Sequence, residues 1–201
     1  AMVAAELAAM FNRKEMVPDI SFYFMYEAMD TLMRIENCKL KIRGILLQML
    51  PEFYRQPTQL QRFNQMFKDQ PVSRDKLLLT IPMETILSCN KGQTEILERY
   101  LRNGIRLVVD GYDPAKLPAA TLKAMGFTYL RLDPALYLQQ ETANTMNLLR
   151  KDGFILLGGS ADTHDALGWL VACGVEYMSG TLTGVAVSDD ELIRDSLARE
   201  M

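Results

Sequence analysis

The stretch GIRLVVDGYDPAKLPAATLKAMGFTYLRLD, Gly104 to Asp133, constrains the fold more than any other part of the chain. It holds two apolar β-type runs, Leu107-Val108-Val109 and Tyr129-Leu130 with Leu132, each closed by an aspartate, Asp110 and Asp133. A turn and a helical pattern join them. The unit reads strand, helix, strand, and it sets carboxylates at strand C-termini, where parallel α/β folds place their ligands.

The same alternation of short apolar runs with longer amphipathic stretches continues from end to end, the pattern of repeated βα units. Strands are predicted at Leu40 to Leu47, Lys76 to Ile81, Ile105 to Asp110, Tyr129 to Asp133, Phe154 to Leu157 and Glu176 to Met178. Helices are predicted at Met2 to Lys14, Asp19 to Glu36, Pro51 to Asp69, Gln93 to Asn103, Ala115 to Met125, Pro134 to Lys151, Thr163 to Cys173 and Asp189 to Arg199. Asn103-Gly104, Gly126 and Gly153 fall where helices should stop, and Ser188-Asp189-Asp190 caps the last. A closed eight-stranded βα barrel takes about 250 residues. Six strands in 201 residues therefore suggest a TIM-barrel-like domain lacking its first two, with sheet edges that must be covered. Lys39-Leu40-Lys41-Ile42-Arg43-Gly44 alternates cations with apolar residues, as an edge strand does, and dimerisation or an N-terminal segment would cover it.

Composition narrows the function. At 49% apolar and 23% charged residues the chain reads as one globular domain over 1–201. A net charge of −3 with no local Lys/Arg cluster argues against nucleic acid as a partner. Cys38, Cys89 and Cys173 are too few and too scattered for a disulfide framework, which fits a cytoplasmic setting. No apolar run reaches the roughly 18 to 20 residues that span a bilayer, so no membrane insertion is expected.

Taken in order, the strand ends resemble those of the EAL domain, the cyclic-di-GMP phosphodiesterase family. Its pattern runs through a strand ending in Asn, then Thr-Glu, Asp-Asp-Phe-Gly, Lys-Ile-Asp, Glu-Gly-Val-Glu-Thr and a final Gln-Gly. Those places here read Ile42-Arg43-Gly44, Ile81-Pro82-Met83-Glu84, Val109-Asp110-Gly111-Tyr112-Asp113, Leu130-Arg131-Leu132-Asp133, Leu157-Gly158-Gly159-Ser160-Ala161-Asp162-Thr163 and Met178-Ser179-Gly180. Ala5-Glu6-Leu7 onward resembles the helix after the Glu-Ala-Leu motif, which puts the motif and two strands outside this chain. The resemblance implies an EAL-type TIM-barrel-like fold, incomplete at the N-terminus.

The family's chemistry needs two hard cations, Mg²⁺ or Mn²⁺, held by carboxylate and amide oxygens, with a lysine near the attacking water. By that resemblance the ligand places hold Gly44, Met83, Gly111 and Gly159, the lysine place holds Arg131, and the glutamine place holds Ser179. Asp110 and Asp133 survive. Arg131 cannot serve as a base, since a guanidinium does not release its proton, and is expected to stand as a fixed cation beside the two acids. A shift of one residue would bring in Glu84, and Asp113 could replace the lost second aspartate, so a metal set, if there is one, draws on Asp110, Asp133, Glu84 and Asp113.

The expectation is a catalytically inactive EAL-like domain with vestigial Asp110, Arg131 and Asp133, no cofactor, and a protein partner or a second copy as its ligand. Cyclic-di-GMP binding is expected to be weak or absent. The alternatives are a fragment or divergent member of an active phosphodiesterase using Mg²⁺ or Mn²⁺, and a sensor that binds the dinucleotide without cleaving it. Among other residues, His164 is read as a surface group at a helix start and Trp169 as packing on the sheet. Met25, Met29 and Met33 recur at helical spacing and are read as core filling. Gly158-Gly159-Ser160 is read as a tight βα turn, with phosphate binding at the helix start as the sharper option.

Overall fold

The computed structural model describes residues 14–56, 58–68 and 72–200. Six strands form one parallel sheet in chain order: β1 (Ile45–Leu47), β2 (Leu77–Pro82), β3 (Arg106–Tyr112), β4 (Tyr129–Leu132), β5 (Ile155–Gly158) and β6 (Tyr177–Met178). The helices are α1 (Val17–Asn37), α2 (Thr58–Met66), α3 (Met83–Leu87), α4 (Lys91–Arg102), α5 (Ala119–Met125), α6 (Gln140–Lys151), α7 (His164–Ala172) and α8 (Asp189–Glu200). The sheet curls into a half-barrel of the TIM-barrel-like type.

Period-two alternation separates its two faces. Ile81, Val109, Leu130 and Leu156 lie in one register row across β2 to β5, all buried, on the face that packs against helices. On that face α7 sets Leu170 against Gly158, where an added Cβ would come within 2.7 Å of its side chain. The opposite, concave face carries the row Pro82, Asp110, Arg131, Leu157 and Tyr177. It lines a cleft of about 450 Å³ reached by residues from every strand.

α1 forms because Ile20, Met25, Met29, Leu32 and Ile35 recur at three to five residues and make one buried stripe. Met25 and Met29 are core residues, as expected, while Met33 is half-buried. An aromatic group formed by Phe22, Phe53, Tyr54 and Tyr100 fills the space beside β2, with Phe53 fully buried and its ring 5.3 Å from Tyr54 and 6.2 Å from Tyr100. Thr80 anchors the group: its carbonyl accepts from the Tyr54 hydroxyl at 2.7 Å and its hydroxyl accepts from the Met49 amide at 3.0 Å.

Several predicted elements are shorter or divided. The first strand begins only at Ile45, because Ile45 pairs with Leu77, the first residue of β2, and the residues before Leu77 form a 3-10 turn that offers no ladder. Pro51 to Asp69 divides at extended Gln56, which precedes Pro57 and is held out of the helical region by that ring. α5 likewise begins after Pro118, four residues later than predicted. Pro134 to Lys151 divides at Leu138, whose positive φ of 66° stops the 3-10 turn before α6 begins. α3, a five-residue helix after β2, has no counterpart in the prediction, and the predicted Met2 to Lys14 helix falls almost wholly outside the described residues. Among the described residues no helix is long and apolar enough to cross a membrane.

Candidate functional site

The register of β3 and β4 builds the site. Asp110 and Arg131 are paired positions on neighbouring strands, so both side chains rise on the concave face at the C-terminal end of the sheet. Their charged groups lie 3.5 Å apart, each about a quarter exposed. Asp110 also accepts from the Gly111 amide at 3.1 Å. Immediately after it the strand bulges: Gly111 adopts φ 68°, the left-handed region that only glycine enters freely, and the ladder resumes at Tyr112 opposite Leu132.

Gly159, just past the end of β5, completes the local arrangement. A Cβ built there would come within 2.8 Å of Nη2 and 3.1 Å of Nε of Arg131. The guanidinium therefore occupies the space a side chain at position 159 would take. Tyr137 fixes this turn from the other side by donating its hydroxyl to the Gly159 carbonyl at 2.7 Å. Its ring packs on Trp169 with centroids 5.3 Å apart; Trp169 is partly buried against the core, and Leu170 of the same helix lies against Gly158.

The other predicted site residues are deployed differently. Asp133 lies one residue beyond β4 and accepts from the Ala135 amide at 2.9 Å, capping the following 3-10 turn. Asp113 accepts from the Ala115 amide at 2.9 Å and lies 3.6 Å from the Lys116 ammonium. Met83, not Glu84, points inward: its sulfur accepts from the Asp113 amide at 3.4 Å, whereas Glu84 is exposed. Among the described residues no three Asp, Glu, His or Cys side chains gather as a metal site: Asp133 caps a turn, Asp113 lies beside Lys116 and Glu84 is exposed. His164 opens α7 as an exposed residue, and Thr163 caps that helix by accepting from the Ala166 amide at 3.2 Å.

Chemically this is a small ion-paired cluster around one cation held in place by Asp110, the Gly159 turn and its neighbours. Sequence reading paired Asp110 with Arg131 but missed the Gly159 contact. The signal available was the pairing of a long side chain at 131 with glycine at 159, at the ends of neighbouring strands.

A family model described as "EAL domain" matches residues 1–184. The PaMucR phosphodiesterase in its c-di-GMP complex is similar in structure, with a TM-score of 0.79 at 13% identity over 95% of this chain and 81% of that one. The FimX EAL domain of Xanthomonas citri in complex with c-di-GMP gives 0.75 at 12% identity over 92% and 76%. The manganese and cyclic-di-GMP complex of Klebsiella pneumoniae BlrP1 gives 0.66 at 16% identity, over 90% of this chain and 45% of that one. A search of curated proteins found no significant match.

Proposed function

The chain belongs to the EAL-domain family, and from that premise we propose that it is a catalytically inactive member, a regulatory or protein-binding module in cyclic-di-GMP-related signalling. The observation that carries this reading is the placement of Arg131. Its guanidinium is packed over Gly159 and faces Asp110 at 3.5 Å, so a fixed positive charge stands among the surviving groups of a site built for two cations. Two-metal hydrolysis depends on the ions to stabilise both the attacking and the leaving oxygen. A guanidinium can neutralise a carboxylate, but it cannot ionise a bound water as a divalent metal does.

The expected result of a cyclic-di-GMP hydrolysis assay with Mg²⁺ or Mn²⁺ is no turnover above the protein-free rate. Metal-dependent turnover would overturn the reading and promote the alternative, a divergent active phosphodiesterase. A second reading, a sensor that binds the dinucleotide without cleaving it, draws support from the c-di-GMP held by the similar PaMucR and FimX structures. Calorimetry separates the two: weak or absent binding is expected of a protein-binding module, and micromolar or tighter binding of a sensor.

A further inference from the structure

Asn103 is the one asparagine of the chain that a glycine follows. Both residues are exposed, in the turn that joins α4 to β3. Gly104 takes a φ of 78°, and no atom lies within 4 Å of the place a Cβ would occupy, so no side chain crowds its nitrogen.

Such a pair has a chemistry of its own. The Gly104 nitrogen attacks the side-chain carbonyl carbon of Asn103 and a C–N bond forms. The bond from that carbon to the side-chain nitrogen breaks, and ammonia leaves with the proton that the Gly104 nitrogen gives up. Water then opens the resulting cyclic imide at either carbonyl. One opening leaves aspartate, and the other leaves isoaspartate, in which the main chain runs through the former side chain and gains a methylene. Asp110-Gly111 and Asp152-Gly153 repeat the spacing, but a carboxylate resists the attack, and that of Asp110 faces Arg131 at 3.5 Å.

The fold restrains the step at Asn103. The Asn103 side-chain amide donates to the Arg99 carbonyl at 2.7 Å, and the Gly104 amide donates to the Leu101 carbonyl at 3.0 Å. Both reacting groups are thereby tied into the C-terminal cap of α4, which the Ile105 amide completes by donating to the Tyr100 carbonyl at 3.2 Å. Attack requires the first two bonds to open, and two net hydrogen bonds make the open turn about five- to hundredfold rarer than the closed one. Isoaspartate cannot rebuild that cap, because its extra methylene displaces the Gly104 and Ile105 amides from their carbonyls. β3 begins at Arg106, directly after this turn, and carries Asp110.

We propose that Asn103-Gly104 is a deamidation site restrained by the α4 cap, and that its isoaspartate product irreversibly loosens the root of β3.

The test follows the full chain by peptide mass spectrometry during incubation at mildly alkaline pH, folded and in urea. Asn103 should convert before any other asparagine, with isoaspartate in excess over aspartate. Conversion should be about five- to hundredfold slower in the folded chain than in urea. Ion exchange then isolates the deamidated chains, and denaturant titration compares them with Asn103→Asp, which has the same charge and an ordinary main chain. The isoaspartate-rich chains should show the lower midpoint. Earlier conversion of another asparagine, a folded rate equal to the unfolded one or more than about a thousandfold below it, or equal midpoints would overturn the proposal.

Discussion

Gly180→Ala should destabilise the fold by about 2 to 4 kcal/mol, although it adds one methyl group. Gly180 follows β6 in the segment that hydrogen-bonds back to the turn after β5. The Ala161 amide donates to the Ser179 carbonyl at 2.9 Å, and the Leu182 amide donates to the Ala161 carbonyl at 3.2 Å. These bonds bring the Ala161 main chain against the Gly180 Cα. A Cβ at 180 would lie 2.4 Å from the Ala161 nitrogen, 2.6 Å from its carbonyl carbon and 2.7 Å from its oxygen. All three are main-chain atoms, so no flexible side chain can move aside. Denaturant titration should find the midpoint lowered with an unchanged slope. Gly92→Ala is the control: it lies in α4 with a single neighbour, Asn90 Oδ1, at 3.5 Å, and should shift stability by less than about 1 kcal/mol.

Stability should also fall steeply above about pH 10, through three buried tyrosines. Burial pushes Tyr54 well up, with the neighbouring Tyr100 adding to the effect, and burial likewise raises Tyr100. Burial raises Tyr112 to about 12, helped by the negative charge of Asp113. A tyrosine raised in the native state keeps its proton at a pH where the unfolded chain has lost it. Its contribution is therefore full below the unfolded value near 10 and is lost as pH rises through the native value. For Tyr112 that window runs from about 10 to about 12, and for Tyr100 it extends higher. Each contributes a slope of about 1.4 kcal/mol per pH unit once the unfolded tyrosine is ionised. Denaturant titrations from pH 9 to 12 should trace the decline, and Tyr112→Phe should make it less steep. A flat profile across that range would contradict the burial of these hydroxyls.

The order of elements was legible because strands and helices write different periods into the chain, and the βα alternation survived even where boundaries moved. Two boundary errors had readable causes, since Gln56 and Leu117 each precede a proline and the residue before proline leaves the helical region. The left-handed Leu138 carried no such signal, because nothing in Tyr137-Leu138-Gln139 favours a positive φ. At the candidate site, Arg131 was expected beside Asp110 and Asp133 from the family resemblance, and the structure pairs it with Asp110. Asp133 sits one residue past the strand, and that one-residue step turned an expected site acid into a cap. The gathering of Arg43, Arg106 and Arg131 in one cleft depends on the curl of the sheet, which leaves no local trace in sequence.

The account stands on Asp110 being balanced by the guanidinium of Arg131 and not by a bound metal ion. Manganese binding, followed by the loss of the free-ion electron paramagnetic resonance signal as protein is added, measures this without any dependence on turnover. The predicted result is an undiminished free-ion signal with Mn²⁺ up to about 1 mM, the weak end of protein affinities for divalent ions. Stoichiometric binding of two Mn²⁺ ions per chain at micromolar concentrations would contradict it.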